Sequence, residues 1–361
     1  MRGGDPAGVF ARKPVIAGRK IRFALVGCGR IAPKHFEAVE AHAKAAELVA
    51  VADIDPVAVE RASAATGAPG FDSLEALLAG ADADLVILAT PSGLHAQQAM
   101  LAAQAGRHVM TEKPMATRWQ DGKAMVQACD EAGVHLFVVK QNRRNPTLQL
   151  LKRAIETRRF GKLHLVTVNV FWNRPQSYYD SAAWRGTWEF DGGAFMNQAS
   201  HYVDMLDWLI GPVESLQAYT ATLGRNIEVE DTGVLALQWR AGTLGSLNVT
   251  MLTYPKNLEG SITVLGDRGT VRVGGVAVNR IDHWEFAEPD PMDAEVERAS
   301  YETQSVYGHG HIRYYENVIE TLRGEAQPDT DGREGLRSLE ILIATYLSAR
   351  DGRRVALPLE Y

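Results

Sequence analysis

The hexapeptide Gly27-Cys28-Gly29-Arg30-Ile31-Ala32 stands directly after the apolar run FALV and directly before an amphipathic stretch. It has the form G-x-G-x-x-A. A first glycine makes a tight turn, a second lets a pyrophosphate approach the backbone, and a small third residue lets a helix pack on its strand. Amides at the start of that helix then face the phosphates. A glycine turn at an ordinary strand-to-helix junction shares part of the pattern, but Asp53 ends a second apolar run about twenty residues further on, where a ribose contact is expected. Its carboxylate can accept from both ribose hydroxyls and repels a 2′-phosphate, which predicts NAD rather than NADP. A helix N-cap at Asp53 or Asp55 is the competing reading.

Two further constellations carry chemistry. Thr111-Glu112-Lys113-Pro114 closes a strand-like run and presents an ammonium on a local turn. Near a nicotinamide such a lysine can hydrogen-bond a substrate hydroxyl and serve as acid or base, whereas composition alone reads it as a surface lysine. The segment Asp191-Gly192-Gly193 leads into Asn197, His201 and Asp204. If helical, these three lie at i, i+4 and i+7 and share one face. A polar stripe inside an apolar helix needs partners or a pocket, and a structural histidine bonded to Asp204 is the bland alternative.

The elements that must position these residues follow from periodicity. From Ile21 to about Val139, the apolar runs IRFALVG, ELVAVAD, DLVILAT, HVMTE and HLFVV alternate with Ala-rich amphipathic stretches, as parallel strands with crossover helices do. Asp53, Thr90, Glu112 and Lys140 end such runs, and the carboxyl ends of the strands form the ligand crevice of an open α/β sheet. After a helix over about Pro146 to Glu156 come longer alternating segments, from LHLVTVNVFW to GTVRVGG, around turns such as Ala241-Gly242-Thr243. These predict an α+β region with a large, open, mainly antiparallel sheet, interrupted by a helix over about 193–210. Amphipathic helices are predicted near Arg313–Leu322 and Arg333–Arg350. The expected division is a flexible tail over 1–20, a dinucleotide-binding Rossmann domain over 21–142, and an α+β domain for substrate binding and oligomerisation over 143–361. The last helices are expected to pack back on the first domain.

Composition excludes other classes. The 361 residues carry 38 basic and 44 acidic side chains, a net charge of −6 without runs, which argues against nucleic acid or a membrane surface as partner. No apolar stretch approaches the ~18 residues of a bilayer span, and the first twenty residues lack a signal-peptide core. Cys28 and Cys129 make no disulfide framework and no metal-ligand spacing, so a reducing cytoplasm and no metal are expected.

The ordered motifs resemble the Gfo/Idh/MocA (glucose-fructose oxidoreductase-like) family. They are Gly27 to Ala32, Ala89-Thr90-Pro91-Ser92-Gly93-Leu94-His95, Glu112-Lys113-Pro114, Trp184-Arg185-Gly186, Gly192-Gly193 and His201-Tyr202-Val203-Asp204. Ser348-Ala349-Arg350-Asp351-Gly352 before Val355-Ala356-Leu357-Pro358 is similar to the family's usual ending. The likeness covers nearly everything after residue 20. It implies NAD(P)-dependent oxidation or reduction of sugars, inositols or related polyols by a dimer or tetramer packed through the second domain's open sheet.

It also implies roles. Lys113 contacts the reacting hydroxyl and the nicotinamide region, and His201 lies on the hydroxyl's other side. With Asn197 they form the implied catalytic set. Gly27, Gly29, Arg30, Ile31, Asp53, Thr90, Pro91, Ser92, His95, Glu112, Lys113, Gln141, Trp184 and Arg185 are the implied cofactor contacts. Lys113, Asn142, Arg174, Asn197 and His201 are the implied substrate contacts.

The family usually has Asp four residues before the histidine and Gly two before it, where this chain has Asn197 and Ala199. That departure resembles the WlbA-type UDP-N-acetylglucosaminuronate dehydrogenases of bacterial surface-polysaccharide synthesis, which oxidise C3 to a ketone for a later aminotransferase. A nucleotide-sugar uronate needs cations, for which Gln141-Asn142-Arg143-Arg144, Arg174 and Lys256 are available. Trp172, Tyr178, Tyr179 and Tyr254 could pack on a uracil or sugar face, as an aromatic core would also explain. A dehydrogenase of another sugar or inositol, or a non-catalytic NAD-binding regulator, fits the same fold.

Overall fold

The computed structural model describes residues 14–303 and 310–360. The chain divides into two compact units, Met1–Val139 with His311–Leu336 and Lys140–Gly310 with Arg337–Tyr361. Residues 1–13 of the expected tail lie outside the described residues. Of the remainder, the Ile16 amide donates to the Leu322 carbonyl at 2.8 Å, and Arg19 makes two bonds to Asp84 at 2.6 and 2.7 Å.

In the first unit six parallel strands run in the order β3-β2-β1-β4-β5-β6. They are β1 (Ile21–Val26), β2 (Ala46–Ala52), β3 (Gly70–Phe71), β4 (Leu85–Leu88), β5 (His108–Thr111) and β6 (Leu136–Val138). All four residues of β4 and of β5 are buried, which is why these strands read as unbroken apolar runs: helices cover both faces of a parallel sheet. The covering helices are α1 (Ala32–Ala41), α2 (Pro56–Thr66), α3 (Leu74–Gly80), α4 (His95–Gln104) and α5 (Trp119–Glu131). A late segment joins them. Tyr314 and Tyr315, fully buried, enter the core with Phe23, Leu25 and Phe137, and both Tyr314 and Thr330 donate to the Val138 carbonyl.

The second unit holds an eight-stranded sheet of order β13-β12-β11-β7-β10-β9-β8-β14. Its strands are β7 (Leu163–Phe171), β8 (Val213–Ala221), β9 (Thr232–Trp239), β10 (Leu244–Thr250), β11 (Glu259–Gly266), β12 (Gly269–Gly274), β13 (Arg280–Phe286) and β14 (Val355–Ala356). Every neighbouring pair is antiparallel except β7 with β10, which run parallel. Val166, Val168 and Val170 on β7 are fully buried, as are Leu235 on β9 and Leu247 on β10. The alternate residues face outward, so Leu165, Tyr219, Val234 and Leu244 remain exposed. That alternation is what a sheet covered on one face requires. Helices α6 (Pro146–Glu156), α7 (Gln176–Tyr179), α8 (Ser200–Ile210) and α9 (Val296–Ala299) complete this unit, while α10 (Gly310–Leu322) and α11 (Gly332–Asp351) include residues of both units.

The continuous helix expected over 193–210 is instead two elements. Ala194–Gln198 forms a single π-helical turn, and α8 begins only at Ser200. Asn197 therefore leaves the α-helical face that His201 and Asp204 share. The amides of the π turn meet side chains from elsewhere in this unit: Phe195 donates to Glu230 and Met196 to the Tyr346 hydroxyl.

Candidate active site

The dinucleotide turn is built mainly from backbone. Gly27 has φ +99°, and a Cβ there would lie 2.5 Å from the Ala89 carbonyl oxygen, so only glycine lets β1 turn beside β4. Gly29 faces open space, with no atom within 4 Å of where its Cβ would be. Helix α1 starts there without a side-chain cap, whereas Asp55 caps α2 and Ser73 caps α3. Amides left without a capping side chain beside an open glycine fit a bound pyrophosphate. Arg30 is exposed and Ile31 half-buried on this turn.

Asp53 is half-buried and bends back over the turn. Its Oδ2 accepts from the Cys28 amide at 2.7 Å and its Oδ1 from the Asp55 amide at 3.0 Å. The cap of α2 belongs to Asp55, whose Oδ1 accepts from Val57 at 3.0 Å, so Asp53 is not consumed as the cap. Thr90, Pro91 and the buried Ser92 follow β4. His95 is fully buried, with Nδ1 3.0 Å from the Pro114 carbonyl and Nε2 2.9 Å from the Thr90 carbonyl, so its ring braces the two loops. Glu112 is buried and Lys113 half-buried.

In the second unit the expected site residues stand on a buried polar nest. Asp204 accepts twice from Arg143, both at 2.7 Å, and Lys140 approaches it at 3.5 Å while donating to Ser338 at 2.7 Å. Burial pushes the Asp204 carboxyl up, but the Arg143 and Lys140 cations outweigh it and hold it at about 2. Arg143, expected among the cations for substrate, is thus committed to this pair. The intervening Gln141 and Asn142 are buried, and Gln141 Nε2 lies 3.1 Å from His201 Nε2. Gln141 Oε1 and Asn142 Oδ1 are buried without a hydrogen-bond partner from the protein, so both are acceptors available to a ligand or a water.

Asn197 donates to Asp191 Oδ1, and Asp191 Oδ2 accepts from the Gly186 amide at 2.7 Å. Beneath the π turn lies Glu230, which sequence reasoning missed. Its Oε1 accepts from the Phe195 amide and the Tyr346 hydroxyl, each at 2.9 Å, and a Cβ on Gly193 would overlap its carboxyl. Burial pushes Glu230 up to about 7. A Glu-Asp pair before a strand reads as solvated, so the sequence holds no signal that flags it. Arg185 donates to the Tyr178 hydroxyl at 2.6 Å and lies 4.4 Å from the rings of Tyr178 and Trp184. Arg174 lies 5.2 Å from the Trp172 ring and 5.6 Å from that of Tyr178. Tyr179 is buried core, while Tyr254 is 92% exposed.

A fingerprint turn at the switch of a 3-2-1-4-5-6 sheet, with a lysine closing the fifth strand, defines a nicotinamide-dependent oxidoreductase. Residues 21–140 match the oxidoreductase family's NAD-binding Rossmann fold, and residues 152–357 match its C-terminal alpha/beta domain. The chain belongs to this Gfo/Idh/MocA oxidoreductase family, and its Rossmann unit binds NAD. It is similar to the WlbA dehydrogenase of Chromobacterium violaceum, solved with NADH and UDP-GlcNAcA, at 70% identity and TM-score 0.93 over 97% of this chain and 99% of that one. It is similar also to the WlbA dehydrogenase of Bordetella pertussis, solved with the same two ligands, at 68% identity and TM-score 0.93 over 96% of this chain and 100% of that one. A D-apiose dehydrogenase of Paraburkholderia graminis is 29% identical over 94% of this chain and 90% of its own length.

Proposed function

We propose that this protein oxidises the C3 hydroxyl of UDP-N-acetylglucosaminuronic acid to the 3-keto sugar with NAD. The observation that carries this reading is the 70% and 68% identity, over nearly the whole chain, to two dehydrogenases solved with NADH and UDP-GlcNAcA. The unpartnered buried acceptors at Gln141 and Asn142 support it, since hydroxyls and amides of a sugar or cofactor satisfy such atoms.

Bound NAD supplies the hydride acceptor at nicotinamide C4. The chain's part is to hold the carbinol and receive its proton. Lys113 or His201 takes the hydroxyl proton, and Asn197 orients neighbouring hydroxyls. Asp53 binds the adenosine ribose and excludes a 2′-phosphate. Gly27, Gly29, Arg30 and Ile31 cradle the pyrophosphate, while Thr90, Pro91, Ser92, Glu112, Gln141, Trp184 and Arg185 complete the cofactor site, with His95 fixing its loops. Arg174 and Asn142 serve the substrate, with Arg174 meeting its negative charge now that Arg143 is paired with Asp204.

The reading extends to context. No described helix is long and apolar enough to cross a membrane, and we place the enzyme in the cytoplasm, in bacterial surface-polysaccharide synthesis. We place a homo-oligomer, dimer or tetramer, on the open sheet face bearing Leu165, Tyr219, Val234 and Leu244. The test is absorbance of reduced nicotinamide with NAD and UDP-GlcNAcA, with and without 2-oxoglutarate. Signal with the sugar nucleotide and none with free sugars or inositols supports the reading. Turnover of a free sugar or inositol alone overturns it, and silence across a panel of sugar nucleotides favours a non-catalytic NAD-binding role.

A further inference from the structure

The turn that carries Lys113 is held from both flanks by buried imidazoles. Glu112, 8% exposed, directly follows β5 and directs its carboxylate inward. Its Oε2 accepts from the Lys113 amide at 3.1 Å, which folds the side chain back on its own turn. Its Oε1 lies 3.2 Å from His35 Nε2 on α1 and 3.5 Å from His311 Nε2 on α10, close contacts that fall short of hydrogen-bond geometry and leave these three atoms without a hydrogen-bond partner. The two rings meet edge to face, 5.5 Å apart at 85°. His35 Nδ1 is 2.7 Å from the Tyr315 hydroxyl, whose proton it can accept, so that Nε2 carries the proton that faces Glu112. On the opposite flank His95 holds the Pro114 carbonyl.

We propose that His35 and His311 are positioning residues that clamp Glu112, and through it the backbone that presents the Lys113 ammonium. This rests on the reading of Lys113 as a group that touches the reacting hydroxyl. A strand end in an apolar core needs no carboxylate, and burying one costs stability that an apolar residue at position 112 would not cost. What the buried anion and the two imidazoles packed against it supply is a fixed turn: a lysine a fraction of an ångström out of place loses its alignment with the hydroxyl. Burial pushes the Glu112 carboxyl up, yet His311 and His35 hold it well below the usual range, so it stays anionic. Burial lowers His35, which keeps that imidazole neutral. The groups facing Glu112 are therefore His35, His311, Tyr315 at one remove, and Lys113, with His95 beyond the turn.

The experiment uses the full chain with His311→Leu, His311→Gln and Glu112→Gln. His311→Leu is expected to lower kcat roughly 10-fold to 10²-fold, the cost of a misplaced catalytic group, while KM for the sugar nucleotide and NADH binding change less than about threefold. His311→Gln returns an N–H near the lost Nε2 and restores most of kcat. Independently of any substrate, the rate at which an acylating reagent modifies Lys113, followed against pH by peptide mass spectrometry, reports its protonation. Removing the neighbouring anion in Glu112→Gln is expected to move that profile down by about half a pH unit or more.

Unchanged kcat in His311→Leu overturns the clamp. Equal losses in the Leu and Gln variants with equal falls in Tm reduce the trio to a structural role. His35, Glu112 and His311 atoms also lie within 4.8 Å of one another, the reach of a shared cation. A stoichiometric metal whose removal abolishes activity would therefore overturn the clamp too. Failure of wild type to turn over UDP-GlcNAcA sinks the functional reading instead; the clamp is then decided by the Lys113 acylation profile of His311→Leu, which the clamp expects to differ from wild type and which overturns the clamp if unchanged.

Discussion

The two units build their working surfaces from different materials. In the first, the dinucleotide turn relies on glycine geometry, helix amides without a capping side chain, and one carboxylate, Asp53, whose partners are backbone amides, those of Cys28 and Asp55. In the second, Asn197 leans on Asp191 six residues back, while His201 and the π turn lean on side chains far along the chain: Gln141 and, beneath the turn, Glu230 with Tyr346. A phosphate site can be made by any backbone that bends correctly, because amides are present at every residue. A site that orients particular hydroxyls needs particular side chains, each with its own buried partners to satisfy. The first design tolerates change away from its glycines, and the second is exposed to single substitutions throughout its nest.

The sharpest way to break that contrast is to empty the nest. Asp204→Leu leaves Arg143 and Lys140 buried without their carboxylate, and the loss of stability is expected to be about 3–5 kcal/mol. A denaturant titration that shows less than ~1 kcal/mol would mean the pair is solvated and the nest is not a unit.

Glu230 offers a pH test of the same region. Its ordinary value of 4.5 is raised to about 7 in the fold, so the native state holds the proton more tightly than the unfolded chain. Stability from this group is full below about 4.5, declines as pH rises toward 7, and is lost above it. The span corresponds to about 3 kcal/mol. Glu230→Gln should flatten the dependence of the denaturation midpoint between pH 5 and pH 8. Identical pH dependence in variant and wild type would show that Glu230 ionises freely.

Lys113→Ala sharpens the comparison from the first unit's side. We expect kcat to fall by ~10² or more with folding and NAD binding almost intact, the scale of a lost acid-base group. Near wild-type kcat would shift the proton to His201, and His201→Asn would then carry the loss. The smallest effect is expected at the cofactor's far end. Asp53→Ser combined with Ile54→Arg, at a position already 92% exposed, should turn preference toward NADP by roughly 10-fold in kcat/KM, about 1.4 kcal/mol of differential binding. Equal use of NAD and NADP by wild type would remove Asp53 as the discriminator.

Sequence alone determined the six-residue fingerprint, the five main strands of the parallel sheet and the alternation of the second sheet. Each is a local pattern: glycine spacing, unbroken apolar runs where both faces are covered, period two where one face is open. The two-residue β3 escaped because Gly70-Phe71 is too short to show any period, and the parallel pairing of β7 with β10 because strand direction leaves no mark on composition. The π turn at Ala194–Gln198 was illegible for a related reason: it is imposed by Glu230 and Tyr346 from below, and a helical wheel sees only the helix's own residues. Lys113, Asn197 and His201 stand out in the sequence as residue types at suggestive places, and the kinetic variants above test their chemistry. Only tertiary structure decided that Arg143 is spent on Asp204, that Asp55 rather than Asp53 caps its helix, and that two histidines far apart in the chain converge on Glu112. Long-range polar pairing is set by which elements pack together, and burial makes each such pair matter because water no longer offers an alternative partner.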